Sequence, residues 1–135
     1  TLSIICNFFC LNEVSNFRHD LSDLKGKVVL LDFTVYASKD APSRNLYFRE
    51  LVNKFSDKGF MIYQVSFDPD EHFWKTGASH LPWICVRDAE GGSSPLISTF
   101  NIQELPTYFL LNRAGELVAR DKQITDLEKA IQQLL

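Results

Sequence analysis

Val28-Val29-Leu30-Leu31-Asp32-Phe33-Thr34-Val35 is a near-continuous run of β-branched and large apolar residues interrupted by one carboxylate. A strand covered on both faces reads this way, so the run predicts the centre of a parallel sheet held between helices. The period then changes. Over residues 43–58, Phe48, Leu51, Val52 and Phe55 recur at helical spacing, while Arg49, Glu50, Asn53 and Lys54 fall on the opposite face. Glu50 and Lys54 stand as an i, i+4 pair, and Gly59 follows where a left-handed cap is wanted. Residues 60–67, FMIYQVSF, make a second buried strand and complete a right-handed β-α-β unit.

Downstream, Asp68-Pro69-Asp70 predicts a turn into a short helix carrying His72, Phe73 and Trp74, and residues 83–86 predict a short strand. Ser94 and Pro95 suit the N-cap and first position of a helix reaching Phe100. Residues 108–111 and 117–120 flank a turn at Gly115 and read as an antiparallel hairpin. Thr125 and Glu128 read as a capping box ahead of Leu127, Ala130, Ile131 and Leu134. Upstream, the apolar run over 2–11 is too short to span a bilayer and has no basic residues before it, so it is expected to be a first strand. The organisation expected is one domain over 1–135, with a strand or hairpin extension over 1–20 and a core over 21–135.

With 45% hydrophobic residues in 135, the chain can bury one core. A net charge of -3 provides no basic field, which argues against a nucleic-acid partner and against binding an anionic membrane surface. Cys6, Cys10 and Cys85 are an odd count with no framework spacing, and each reads as a small buried hydrophobe. In an extended strand Cys6 and Cys10 stand ~13 Å apart, beyond disulfide reach. Asp68, Asp70, Glu71 and His72 read as the solvated face of a helix-opening turn rather than a metal site, and His19 and His80 have no visible partner. No metal and no other cofactor is expected.

The element order, together with four local matches, resembles the thioredoxin-like superfamily, in particular its redoxin branch of envelope thiol-disulfide oxidoreductases of Bacteroidetes type. The matches are Leu21-Ser22-Asp23-Leu24-Lys25-Gly26-Lys27 leading into the first strand, Lys58-Gly59-Phe60 with Gln64-Val65-Ser66-Phe67-Asp68, Leu81-Pro82-Trp83, and Glu104-Leu105-Pro106-Thr107-Tyr108-Phe109-Leu110. The resemblance implies an α/β thioredoxin-like fold, a central mixed sheet with helices on both faces. It places Pro106 at the family's cis-proline, so Leu105-Pro106 is expected to be cis. It also implies the C-terminal part of a longer exported protein in the periplasm or cell envelope, touching a membrane only through an anchor outside this chain; a start at Thr1 rather than Met accords with that expectation.

What the family needs for chemistry is a thiolate at the start of the first helix and a second cysteine three residues on. Residues 34–44, Thr-Val-Tyr-Ala-Ser-Lys-Asp-Ala-Pro-Ser-Arg, contain no cysteine. Counting from Asp32 puts Ser38 and Ala41 in the two positions, the preferred register; aligning on Ala37-Ser38 and Pro42 with a two-residue insertion puts Asp40 and Ser43 there. Neither pair can form a disulfide, and a serine without a general base is a poor nucleophile. A peroxidase of the peroxiredoxin kind needs a Thr-x-x-Cys at the same place, and Thr34 is followed by Val35, Tyr36 and Ala37. Asp40 is expected to cap the helix amides through its carboxylate, and Asp32, which in the family assists the buried cysteine, to be a buried carboxylate satisfied by hydrogen bonds. Tyr36, Trp83 and Leu105 are candidates to line a groove beside Pro106 that takes a peptide or protein, and for Trp83, Trp74 and Phe73 packing in the core or a loop is the preferred alternative. The expected function is a redox-inactive binding module; the rival is an oxidoreductase using Cys85, Cys10 or Cys6.

Overall fold

In chain order the strands are β1 (Leu11–Glu13), β2 (Arg18–His19), β3 (Val28–Thr34), β4 (Phe60–Ser66), β5 (Ile84–Arg87), β6 (Thr107–Leu111) and β7 (Leu117–Arg120). They belong to a computed structural model that describes residues 11–13, 18–19 and 24–135. All seven residues of β3 are buried. It pairs in parallel with β4 and antiparallel with β6, at the centre of one sheet ordered β2-β1-β5-β4-β3-β6-β7. The helices are α1 (Ala41–Phe55), α2 (Glu71–Ala78), α3 (Pro95–Thr99) and α4 (Leu127–Leu134).

Because side chains alternate along a strand, β3 feeds two cores at once. Val29, Leu31 and Phe33 pack with Leu96 and Phe100 on one face. Val28 and Leu30 pack with Phe48, Leu51 and Phe55 of α1 and with Leu127 and Ile131 of α4 on the other. Each such side chain contributes about 1.5–3 kcal/mol when fully buried. Asp32 lies in register with the α1 face, so the strand delivers a carboxylate into an apolar layer under the first helix.

Three local expectations are corrected. Helix α1 begins at Ala41 because Pro42 suits the first turn, and it ends in a 3-10 turn, Ser56–Lys58. Lys54 pairs with Glu128 of α4 instead of Glu50. With Glu128 drawn to Lys54, α4 is capped by Asp126, whose carboxylate accepts the Lys129 amide, and not by a Thr125 box. The expected first strand over 2–11 lies outside the described residues except at Leu11, as do Cys6, Cys10 and Leu21-Ser22-Asp23. Among the described residues no helix is long and apolar enough to cross a membrane.

Gly59 adopts φ +99° after the 3-10 turn, and a Cβ there would stand 2.7 Å from the Arg113 guanidinium. Arg113 in turn donates to the carbonyls of Gly26 and Lys58 at 3.1 and 3.0 Å. Gly59→Ala is therefore expected to lose about 1–2 kcal/mol, from the left-handed backbone above all. A urea midpoint equal to that of the parent would refute this account of the turn.

Candidate functional site

Strand register brings four side chains of β5, β4, β3 and β6 to one level of the sheet: Cys85 opposite Gln64, Gln64 opposite Asp32, and Asp32 opposite Tyr108. Asp32 is completely buried and meets Arg44 from the first turns of α1, which donates to both carboxylate oxygens at 2.5 and 3.0 Å. This bidentate, charge-assisted pair is the strongest kind of side-chain contact available to a buried carboxylate. The Arg44 guanidinium also lies 4.9 Å from the Phe48 ring centroid.

Gln64 is the hub beside that pair. Its amide donates to Asp32 and to Asn45, both at 2.9 Å. Its carbonyl accepts the Tyr36 hydroxyl at 2.5 Å and the Trp83 indole at 3.0 Å, with the Cys85 thiol at 3.8 Å. Burial first, and then the neighbouring Cys85, push the Tyr36 phenol well above its ordinary pKa, so it stays a hydroxyl donor.

A second buried carboxylate shapes the loop into α1. Asp68 accepts the backbone amides of Tyr36 and Ala37 at 2.8 and 3.0 Å and the Ser66 hydroxyl. The expectation that it belongs to a solvated acidic face is corrected: it is fully buried, and only Asp70, Glu71 and His72 stay exposed, with Asp70 capping α2 through the His72 amide. Among the described residues no three His, Cys, Asp or Glu side chains gather closely enough to hold a metal ion.

At the helix start, Asp40, Pro42 and Ser43 are exposed, Ser38 is half-buried and Ala41 is buried. Asp40 makes no side-chain capping bond, contrary to expectation. Its backbone is already helical at φ -87° and ψ -11°, whereas a capping carboxylate is aimed by an extended backbone. The Ser43 hydroxyl instead reaches back to the Asp40 carbonyl at 3.2 Å.

The Leu105-Pro106 peptide bond is cis, and Leu105 is exposed. Tyr36 and Trp83 do not join it in a groove. Both are buried, turned inward by their hydrogen bonds to Gln64. Trp74 is likewise buried, while Phe73 is exposed. His80 is exposed, and its carbonyl accepts from Arg49 at 3.2 Å.

Arg44, Asn45 and Gln64 were given no role in the sequence reading, and Asp68 was given the wrong one. Two of them carried a signal. Asn45 occupies a buried face position between Ala41 and Phe48 at helical spacing, and Gln64 shares the inward face of its strand with Phe60 and Ile62. A polar residue in a buried row demands a partner.

A family model described as Thioredoxin-like matches residues 26–117. Among solved structures, an uncharacterized thioredoxin-like protein from Bacteroides vulgatus is 53% identical with a TM-score of 0.86, over 92% of this chain and 82% of that one. A thiol-disulfide oxidoreductase from Bacteroides fragilis is 26% identical with a TM-score of 0.82, over 96% and 98%. Thiol-disulfide oxidoreductase ResA of Bacillus cereus is 28% identical over 83% of this chain, which spans 64% of that relative's length.

Proposed function

Because the chain belongs to the thioredoxin-like family, we propose that it is a redox-inactive member, a peptide- or protein-binding module of a cell-envelope protein. The observation that carries this reading is the helix start, where residues 34–44 offer no sulfur at all. Disulfide exchange proceeds through a thiolate and a mixed disulfide, and neither aspartate nor serine can replace either partner.

In this reading Asp40 and Ser43, rather than Ser38 and Ala41, take the two cysteine positions. Pro42 in the first turn between them and the Ser43 hydroxyl on the Asp40 carbonyl support that register. Arg44 then explains how Asp32 persists without a thiol to serve: the guanidinium occupies both carboxylate oxygens and gives the buried charge a structural role. Next to the cis-proline Gln103, Glu104 and Leu105 are exposed to a partner, and Asp40 and Ser43 are exposed at the start of α1.

Cell-envelope placement draws on the kinship with proteins named as thiol:disulfide interchange proteins, one of them from Bacteroides sp. at 27% identity. It is tested by fractionating cells that express the full-length protein and blotting the envelope against the cytoplasm; a purely cytoplasmic pool would overturn it.

The purified domain is expected to reduce insulin disulfides no faster than dithiothreitol alone. A rate like that of an active thioredoxin would overturn the proposal. Serine replacement of Cys6, Cys10 and Cys85, one at a time, would then identify the thiol responsible; Cys85 is 4% exposed, which opposes its use as an attacking nucleophile.

A further inference from the structure

A cleft of about 240 Å³ opens between the first half of α1 and the C-terminal end of α2, on a side of α1 that neither Leu105 nor Pro106 lines. Pro42, Leu46 and Leu81 form apolar walls, and Asn45 and Arg49 supply its polar side chains along with Tyr36, whose hydroxyl is already spent on Gln64. No carboxylate lines it.

The hydrogen-bond chain beneath it decides which way Asn45 faces. An indole N–H can only donate and an arginine-paired carboxylate can only accept. Gln64 must therefore turn its carbonyl to Trp83 and its amide to Asp32. The same amide then requires the Asn45 carbonyl, 2.9 Å away, which leaves the Asn45 N–H2 group on the cleft side. Asn45 is 8% exposed, its carbonyl is the side-chain atom used within the protein, and its nitrogen keeps contact with solvent rather than with a described residue. Arg49 donates one N–H to the His80 carbonyl, leaving the rest of its guanidinium fork without a protein acceptor among the described residues. An amide donor and a cation thus face an otherwise apolar cavity with no described residue to accept from them.

The wall is also preformed. Asp68 pins the backbone of Tyr36, and Gly77 lets α2 come so near the Tyr36 ring that a Cβ there would stand 2.9 Å from it. We propose that this cleft binds a small monocarboxylic acid bearing one apolar group. Its carboxylate accepts from the Asn45 amide and the Arg49 guanidinium, and its apolar group lies on Pro42, Leu46 and Leu81. The site is separate from the cis-proline side, so it stands or falls independently of the redox-inactive reading.

The test is an NMR titration of the ¹⁵N-labelled domain with 3-phenylpropanoate and, in parallel, its uncharged amide. The acid is expected to shift the Asn45 side-chain N–H2 signals and the backbone amides around 42–49 and 77–81. The amide is expected to bind at least about 10-fold more weakly, because it loses the charge-assisted hydrogen bonds. Arg49→Gln, a partly exposed position outside the buried network, is expected to weaken the acid by a similar factor while leaving the amide unchanged. Equal binding of acid and amide, shifts confined to residues near Pro106, or no saturable shift would each overturn the proposal.

Discussion

Arg44→Leu is expected to destabilise the domain by about 3 kcal/mol or more, the cost of leaving a buried carboxylate without its cation. Asp32 is 0% exposed and Arg44 only 19%, so water cannot take over the lost contact without opening the first turns of α1. Leucine supplies apolar volume but none of the donors, and it gives up the guanidinium's place over the Phe48 ring. The double variant Asp32→Asn with Arg44→Leu separates charge from packing. It removes both members, leaves no buried charge, and keeps an acceptor for the Gln64 amide, so it is expected to recover most of the loss. Chemical denaturation of the parent, both singles and the double variant closes the cycle. A single Arg44→Leu variant within about 0.5 kcal/mol of the parent, the range of ordinary surface changes, would show that the pair does not hold α1 on the sheet.

Asp40→Cys with Ser43→Cys is expected to form a disulfide on oxidation, seen as almost complete loss of free thiol at the two new positions and its return with dithiothreitol. A side chain in the first turn of a helix leans back toward the N-terminus, and the Ser43 hydroxyl already does so by reaching the Asp40 carbonyl. Both positions are exposed, so the oxidant and the reductant can reach them. Ser38→Cys with Ala41→Cys is expected to bridge poorly, because the Ala41 side chain is buried against the body of the domain. Efficient bridging at 38 and 41, with none at 40 and 43, would reverse the register. The bridged 40–43 variant is expected to exchange slowly even so, since Arg44 still holds the Asp32 carboxylate away from proton transfer.

Much of this molecule was legible in its residue pattern. The buried run through β3 and β4, the helix between them, the hairpin around Gly115 and the identity of Ser94 as a cap all follow from periodicity and turn chemistry, which act over a few residues. The missing sulfur at 34–44 was equally plain, since it depends only on which residue types are present. Local rules failed where two segments far apart compete for one side chain. Glu128 reads as half of a capping box, yet Lys54, 74 positions away, takes it. Asp68 reads as a surface acid, yet the amides of Tyr36 and Ala37, more than thirty positions away, draw it inside beside the neighbouring Ser66 hydroxyl. Local pattern leaves Tyr36 as a groove candidate and Trp83 open between groove and core; Gln64 offers their polar ends a carbonyl inside the core, and an unmet donor there is costly.

The sequence by itself therefore determined the sheet-and-helix order, the family and the absence of a disulfide-forming pair, because each is written in spacing or composition. Only the tertiary structure decided that Asp32 is held by Arg44, that Gln64 orients Asn45, and that a donor-lined cleft lies beside α1. The physical reason is that strand register sets which side chains of β5, β4, β3 and β6 stand at one level. Once buried there, each donor must find an acceptor, and that choice is made across the sheet rather than along the chain.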